Sequence, residues 1–382
     1  MNIGINLLPY SPGGQGGAEV YITNVIKAFG KIDVHAEFFI IGVGDSLKEY
    51  GFKGGSFHFV KVPGLFGSSR LSRVVAEQAI LPLLCLKYRL DCLVSNYVVP
   101  LLAPTVNIVI VHDLLYKAYP RLFEPTKLAY WGRMIPVSIA RSRAVVTVSN
   151  FSKSEIKKSF PEAVPRLFMT VEGVRPSLLA HKDSCLTEPP LKLQGPYFLC
   201  VSSYGPHKNV RALVEAFALI SRRHSNLSLV LVGSAKTPDA SDYKSSIDKV
   251  VMKAGLWEKV KYIGYVSDDI LAWLYKNASA LVLPSLYEGF GLPIIEAQSF
   301  GCPVACSNVA SMPEVAGKGA ATFDPLSVDS IAKALVEIIT QPELKRYLQQ
   351  AGYENVKRFS WEQAAKDLWK AIEFATGCSG NL

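Results

Sequence analysis

The stretch PSLYEGFGLPIIEAQSFGCPVACS, residues 284–307, decides the reading of this chain. An apolar run, Ala280 to Pro284, leads into it as a strand, and a glycine-rich turn follows. Pro293 suits a first helical turn, where its missing N–H would have no intrahelical partner anyway. Ile294, Ile295, Ala297 and Gln298 continue a helix that Gly301 ends. The turn Gly289-Phe290-Gly291-Leu292 then aims backbone N–H groups out of a helix N-terminus, an arrangement that favours anions and phosphate above all. Glu288 stands just ahead of that end, and Glu296 lies one turn inside it, within reach of a ribose. Two carboxylates beside a phosphate make sense when the ligand also carries hydroxyls, and a nucleotide sugar carries both.

With GFGLP between the glutamates and SFGCPV after them, the stretch resembles the E-x7-E signature of the retaining glycosyltransferases of family 4. The resemblance implies the GT-B architecture: an α/β chain of two Rossmann-like doubly wound domains facing a cleft. The plainer alternative is an ordinary buried β-turn-α unit with surface carboxylates.

Size and composition agree with two domains. The chain has 382 residues, too many for one core, with 49% apolar and 19% charged residues. No uninterrupted apolar run reaches the ~20 residues that span a bilayer, and MNIGINLLPYSPGG lacks the basic start of a secretory signal. Seven cysteines (85, 92, 185, 200, 302, 306, 378) show no paired spacing, which suits reduced thiols in a cytoplasmic protein. Cys302 and Cys306 have no second ligand pair, so no metal site is expected there.

Charge is lopsided. Residues 1–185 hold 21 Lys and Arg against 13 Asp and Glu, a net of +8 out of +9 for the whole chain. Arg133, Arg141, Arg143, Lys153, Lys157 and Lys158 contribute a basic cluster. An anionic partner for that half is expected, either membrane or phosphate-bearing acceptor, with a solvated basic face as the alternative. No aromatic-basic interleaving suggests nucleic acid.

Short apolar strands alternate with helical stretches through residues 1–178, then again through 196–359, the pattern of parallel α/β sheets. Between them, 179–195 is rich in proline and polar residues and reads as a linker. Leu71 to Tyr88 reads as helical with a kink at Pro82. Residues 360–376 carry apolar side chains at helical spacing behind the N-cap Ser360. The resemblance implies that the segment 360–382 crosses back onto the N-terminal domain.

Other motifs gain meaning from the resemblance. YFLCVSSYGPHKNV, residues 197–210, resembles the family segment in which a lysine-asparagine pair follows a strand, and Lys208 and Asn209 match it. Lys208 is thereby expected to face the donor diphosphate as charge builds on the leaving group. Ser203 stands where many members carry an arginine. GGQGGAEVY resembles the glycine-rich loop after the first strand, with Gly16 and Gly17 admitting close approach of a ligand. His112 closes the strand VNIVIVHD beside Asp113, and the resemblance turns it towards the donor sugar; a lone histidine at such a place is otherwise structural. Gly233 and Ser234 end one strand, Ile263 and Gly264 another, and the family's corresponding turns flank base and phosphates. No D-x-D triplet occurs, so no metal or other cofactor is expected.

The expected activity is hexosyl transfer with retention, from a nucleotide sugar to a saccharide or lipid-linked saccharide acceptor in bacterial surface polysaccharide or lipopolysaccharide synthesis, at the inner face of the cytoplasmic membrane. A hydroxyl residue in place of the arginine, followed by P-x-K-N, resembles bacterial polysaccharide mannosyltransferases and points to GDP-mannose. The alternatives are a UDP-sugar donor, a nucleotide-sugar epimerase, or a non-catalytic sugar-binding protein of the same fold.

Overall fold

A computed structural model describes residues 1–10, 16–44, 46–52, 56–67, 69–183, 195–235 and 238–378. Most of the expected linker, and residues 11–15 of the glycine-rich loop, lie outside the described residues. The chain divides into two compact units, one of Met1–Glu172 with the segment from Ser360 onward, the other of Gly173–Phe359.

The first unit holds a seven-stranded sheet: β1 (Asn2–Asn6), β2 (Glu37–Val43), β3 (Phe57–Val62), β4 (Cys92–Asn96), β5 (Val106–Ile110), β6 (Ala144–Thr147) and β7 (Leu167–Met169). Their order is β3-β2-β1-β4-β5-β6-β7, and every pairing is parallel. Ile5 lies opposite Ile40 on one side and Val94 on the other. All three are fully buried, as expected where helices cover both faces of a parallel sheet.

The second unit holds β8 (Tyr197–Val201), β9 (Ser228–Val232), β10 (Val260–Gly264), β11 (Ala280–Leu283), β12 (Val304–Ser307) and β13 (Ala320–Phe323). The order β10-β9-β8-β11-β12-β13 is that of a dinucleotide-binding Rossmann sheet, and its strand order reverses between β8 and β11. Leu281 of β11 pairs with Leu199 of β8 and sits beside the β12 residue Val304, all fully buried. Truncating Leu281 to alanine would cost about 2–5 kcal/mol and loosen the strand that leads to Glu288.

Helix Trp361–Thr376 belongs to the first unit. Ser360 caps it, accepting from the Gln363 N–H. Its inner face packs there through Trp361 edge-on to Tyr21 and Trp369 edge-on to Phe29, and the Thr170 hydroxyl donates to the Ala364 carbonyl at 3.2 Å.

Three details differ from the sequence reading. The first unit ends at Glu172 rather than residue 178, because helix Pro176–Leu179 buries Leu178 within the second unit and Arg175 pairs there. The helix expected to kink at Pro82 instead contains a π-helical turn, Ala76–Ile80, immediately before it. The Leu81 N–H reaches back to the Ala76 carbonyl, a widening that relieves the clash proline makes with the preceding turn. Strands β3, β7 and β13 were not legible. No described helix is long and apolar enough to cross a membrane.

Candidate functional site

The carboxyl ends of β8 and β11 flank the point where strand order reverses, the place where open α/β sheets bind ligands. Lys208 follows β8 and Glu288 follows β11. The Lys208 ammonium donates to Glu288 Oε1 across 2.6 Å, and the Ser285 hydroxyl donates to the same oxygen at 2.9 Å. Both partners are largely buried, with 18% and 13% of their side chains exposed. Burial alone would raise the Glu288 carboxyl, but the Lys208 ammonium, with the Ser285 hydroxyl beside it, outweighs burial and holds the group below the usual carboxylate range. Glu288 is thus ionised at neutral pH. Lys208 uses one of its three N–H donors on it and keeps two for another anion.

Local backbone explains why these residues stand there. Lys208 ends a 3-10 turn, Pro206–Lys208, and Asn209 at φ +54° turns the chain into helix Val210–Ser221. Asparagine tolerates that left-handed conformation, and its side-chain amide donates to the Pro325 carbonyl at 2.8 Å. Asn209 therefore anchors the turn that presents Lys208. The Leu286 N–H donates to the His207 carbonyl at 2.7 Å, tying the two loops together. His207 is pushed down to about 4 by burial and by Lys208, so its imidazole is neutral.

Helix Leu292–Ser299 carries Pro293 in its first turn, and Gly291 precedes it at φ +101°. The Ser311 hydroxyl lies 2.9 Å from the Glu288 carbonyl and 2.8 Å from the Phe290 carbonyl, and fixes the turn by donating to one of them. Gly289, Phe290 and Leu292 complete this turn ahead of the helix.

The neighbouring strand ends join the same edge. The Gly233 N–H donates to the Gly264 carbonyl at 2.8 Å, holding the ends of β9 and β10 together. Gly233 sits at φ +135°, and a Cβ there would lie 2.0 Å from the Ser202 carbonyl oxygen, so only glycine fits. The Ser234 carbonyl accepts from the Tyr204 N–H at 3.5 Å, and Ser203 is exposed at the end of β8. Ile263 and Gly264 close β10 beside them.

Glu296 departs from expectation. It is buried rather than open, and both its oxygens are engaged: Oε1 accepts from Arg175 Nε at 2.6 Å and Oε2 from the Tyr275 hydroxyl at 3.1 Å. A second Arg175 nitrogen donates to Asp268 Oδ1 at 2.8 Å. Burial works against the Arg175 charge, but Glu296 and Asp268 overcome it and raise its pKa further. The helix is buried on every side from Ile294 to Ser299, so Glu296 has no solvent-facing position on it. Sequence reasoning missed Arg175, Tyr275, Asp268, Ser285 and Ser311; none sits in a spacing that marks it, and only proximity in the fold reveals them.

His112 lies in the first unit, just past the end of β5. It is 5% exposed, and burial pushes it down to about 4 against the pull of Asp113, so it is neutral at physiological pH. Its Nε2 lies 2.8 Å from Asn96 Oδ1 and its Nδ1 3.9 Å from Glu172 Oε1. Asp113 Oδ1 accepts from the Leu115 N–H at 2.9 Å. Beside it, Tyr97 holds φ +60° at the end of β4, a strained conformation for a bulky residue and common at functional sites. Gly16 ends the glycine-rich loop, its carbonyl accepting from Glu19 and Val20 N–H groups at the start of helix Gly17–Phe29; both Gly16 and Gly17 are exposed.

Comparison with known proteins finds glycosyltransferases. The family model described as "Glycosyl transferases group 1" matches residues 187–355. O-antigen chain mannosyltransferase B of Escherichia coli is 31% identical over 271 residues, covering 69% of this chain and 68% of that one. O-antigen chain mannosyltransferase RfbU of Salmonella typhimurium is 28% identical over 268 residues, covering 69% and 70%. Among solved structures, sucrose-phosphate synthase from Thermosynechococcus elongatus superposes with a TM-score of 0.76 at 19% identity, covering 99% of this chain and 100% of that one. WaaG, a glycosyltransferase of lipopolysaccharide biosynthesis, gives 0.69 at 17% identity, covering 99% and 100%.

Proposed function

Since the chain belongs to the group 1 glycosyl transferases, we propose that it transfers mannose from GDP-mannose, with retention of configuration and without a metal ion, to a lipid-linked or lipopolysaccharide saccharide at the inner face of the cytoplasmic membrane. The observation that carries this reading is the Lys208–Glu288 pair at the ends of β8 and β11. It sets a cation and an ionised carboxylate side by side where a diphosphate and a sugar hydroxyl meet in a nucleotide sugar. The two O-antigen mannosyltransferase relatives favour mannose over other hexoses.

In this reaction the acceptor hydroxyl attacks the anomeric carbon on the face the diphosphate leaves. The bond from that carbon to the diphosphate oxygen breaks, and the departing diphosphate takes the acceptor's proton. Lys208 and the N–H groups of the turn Gly289–Leu292 stabilise the growing negative charge. Glu288 holds donor sugar hydroxyls. Gly233, Ser234, Ile263 and Gly264 face base and phosphates, and Ser203 lies beside the leaving group. Glu296, held by Arg175 and Tyr275, meets the ribose. His112, neutral, accepts or donates one hydrogen bond to the sugar rather than exchanging a proton with it.

The test is incubation with GDP-mannose or UDP-sugars and a lipid-extract acceptor, followed by linkage analysis of the product. An α-linked mannosyl product from GDP-mannose alone supports the reading. A product from UDP-sugars only, or an epimerised donor in the absence of acceptor, overturns it.

A further inference from the structure

One continuous helical run, built from Arg70–Val75, the π turn Ala76–Ile80 and Leu81–Lys87, crosses one face of the first unit's sheet. Its inner side is conventional. Ala76, Leu81 and Cys85 pack with Leu8, Ile41, Val60 and Leu93 in a buried cluster. Its outer side is not. Leu71 is 74% exposed, Val75 44%, and Leu83 and Leu86 61% each. With the exposed Ala79 they recur at steps of four, four, four and three residues, a single solvent-facing stripe. In a regular helix four-residue steps drift round the axis. The wider π turn rotates the stripe back, so the irregularity before Pro82 keeps the apolar residues in line.

The sequence around this stripe is mainly basic, although the exposed Asp91 follows its end. From Phe57 to Leu90 the sequence holds five basic residues, Lys61, Arg70, Arg73, Lys87 and Arg89, against one acidic residue, Glu77. Glu77 is on the inner side, where Asn6 donates to it at 3.4 Å. An apolar stripe flanked by cations complements an acyl layer capped by anionic headgroups. The basic helix Asn150–Ser159, by contrast, exposes no large apolar side chain, and Lys158 there pairs with Glu155.

Resting on the membrane-linked acceptor proposed above, we propose that this stripe docks the chain on an anionic phospholipid bilayer, with Leu71, Val75, Leu83 and Leu86 in the acyl boundary and Arg73 and Lys87 among the headgroups. The helix lies in the plane of the surface and does not cross it.

Sedimentation of the full chain with phosphatidylcholine vesicles, with and without phosphatidylglycerol, tests this. The wild type binds only the anionic vesicles, and less as salt rises from 0.1 to 1 M and the Debye length shrinks from about 10 to about 3 Å. Leu83→Glu with Leu86→Glu lowers partitioning at least ~10-fold, and Lys87→Glu lowers it by about fivefold or more. These side chains are exposed, so circular dichroism should match wild type; if the glutamate pair misfolds, Leu83→Ser with Leu86→Ser carries the same expectation. Equal binding to neutral vesicles, no binding, or unchanged binding by these variants overturns the proposal. So does a wild-type dimer that becomes a monomer in the double variant, which would make the stripe a contact between copies. Sugar transfer to a water-soluble acceptor, measured on the same samples, separates the two readings: vesicle binding without transfer would sink the assigned activity and leave the docking surface standing.

Discussion

Arg175 donates to Glu296 across 2.6 Å and to Asp268 across 2.8 Å, joining the residue just after the unit boundary to the second glutamate of the E-x7-E spacing. With Tyr275 on the other oxygen, the Glu296 carboxylate is fixed in direction before any ligand arrives. A carboxylate oxygen accepts about two hydrogen bonds, so each keeps capacity for one more. Arg175 thereby decides which way that remaining capacity points.

Removing the guanidinium leaves two acidic groups, one of them buried, without their cation. Arg175→Ala should therefore destabilise the fold by roughly 3–5 kcal/mol, read as a lower urea midpoint at unchanged slope. Arg175→Met with Glu296→Gln removes both charges of the tighter pair. Its loss should be smaller than the sum of the two single losses, and strict additivity would show that the pair is not coupled.

The two glutamates should separate by function. Glu288→Gln leaves affinity for free GDP nearly intact and cuts turnover. Glu296→Gln weakens GDP by roughly 10- to 150-fold, the loss of one charged hydrogen bond of ~1.5–3 kcal/mol. Because Glu296 also neutralises Arg175, its variant must be titrated below its own melting range. Calorimetry with GDP beside turnover with the full donor decides; equal weakening by both variants would remove Glu288 from the sugar.

How far the sequence carried this depends on burial. Strands buried on both faces, such as β4 and β11, read directly as apolar runs. The strands that escaped notice are sheet edges: β3, half of whose side chains are exposed, and β7 and β13, only 3 and 4 residues long. At the site, Lys208 and Glu288 were singled out because their segments resemble the family's lysine-asparagine and E-x7-E motifs. Their mutual contact was not legible, since the pair is 80 positions apart. Arg175 was invisible for the same reason, and the accompanying Asp268 and Tyr275 look like any helical surface and core residues.

Transfer should proceed in excess chelator. In the proposed mechanism Lys208 and the turn before Leu292 take the part that a divalent ion plays elsewhere. An assay in which EDTA abolishes transfer and Mn²⁺ or Mg²⁺ restores it would reverse this expectation.

Burial lowers the His112 pKa from 6.5 to about 4. Between these values the unfolded chain binds a proton that the folded chain does not, so stability falls as pH drops through that window. The contribution is on the order of 3 kcal/mol, fully lost near pH 4 and absent as a liability above pH 7. Denaturation midpoints of wild type and His112→Asn should converge on acidification, because asparagine has no proton to take up. Across pH 6–8 His112 stays neutral, so kcat/KM should show no inflection that the asparagine variant removes.

Lys208→Ala is the sharpest test of the mechanism. In the proposed mechanism the ammonium faces charge that grows as the sugar leaves, so its loss should lower kcat by on the order of 10²-fold or more, with a smaller effect on donor affinity. It also strips Glu288 of its cation, and burial then lifts that carboxyl out of the depressed range it holds beside Lys208. Part of the kcat loss could come from a protonated Glu288 alone. The pH dependence resolves this: if protonation is responsible, activity of Lys208→Ala recovers as pH rises, whereas a lost electrostatic contact leaves it low throughout. Lys208→Arg, which keeps the charge, should retain more activity than alanine at every pH. An unchanged kcat in Lys208→Ala would mean that another cation stabilises the leaving group, with Arg211 the nearest basic candidate along the chain.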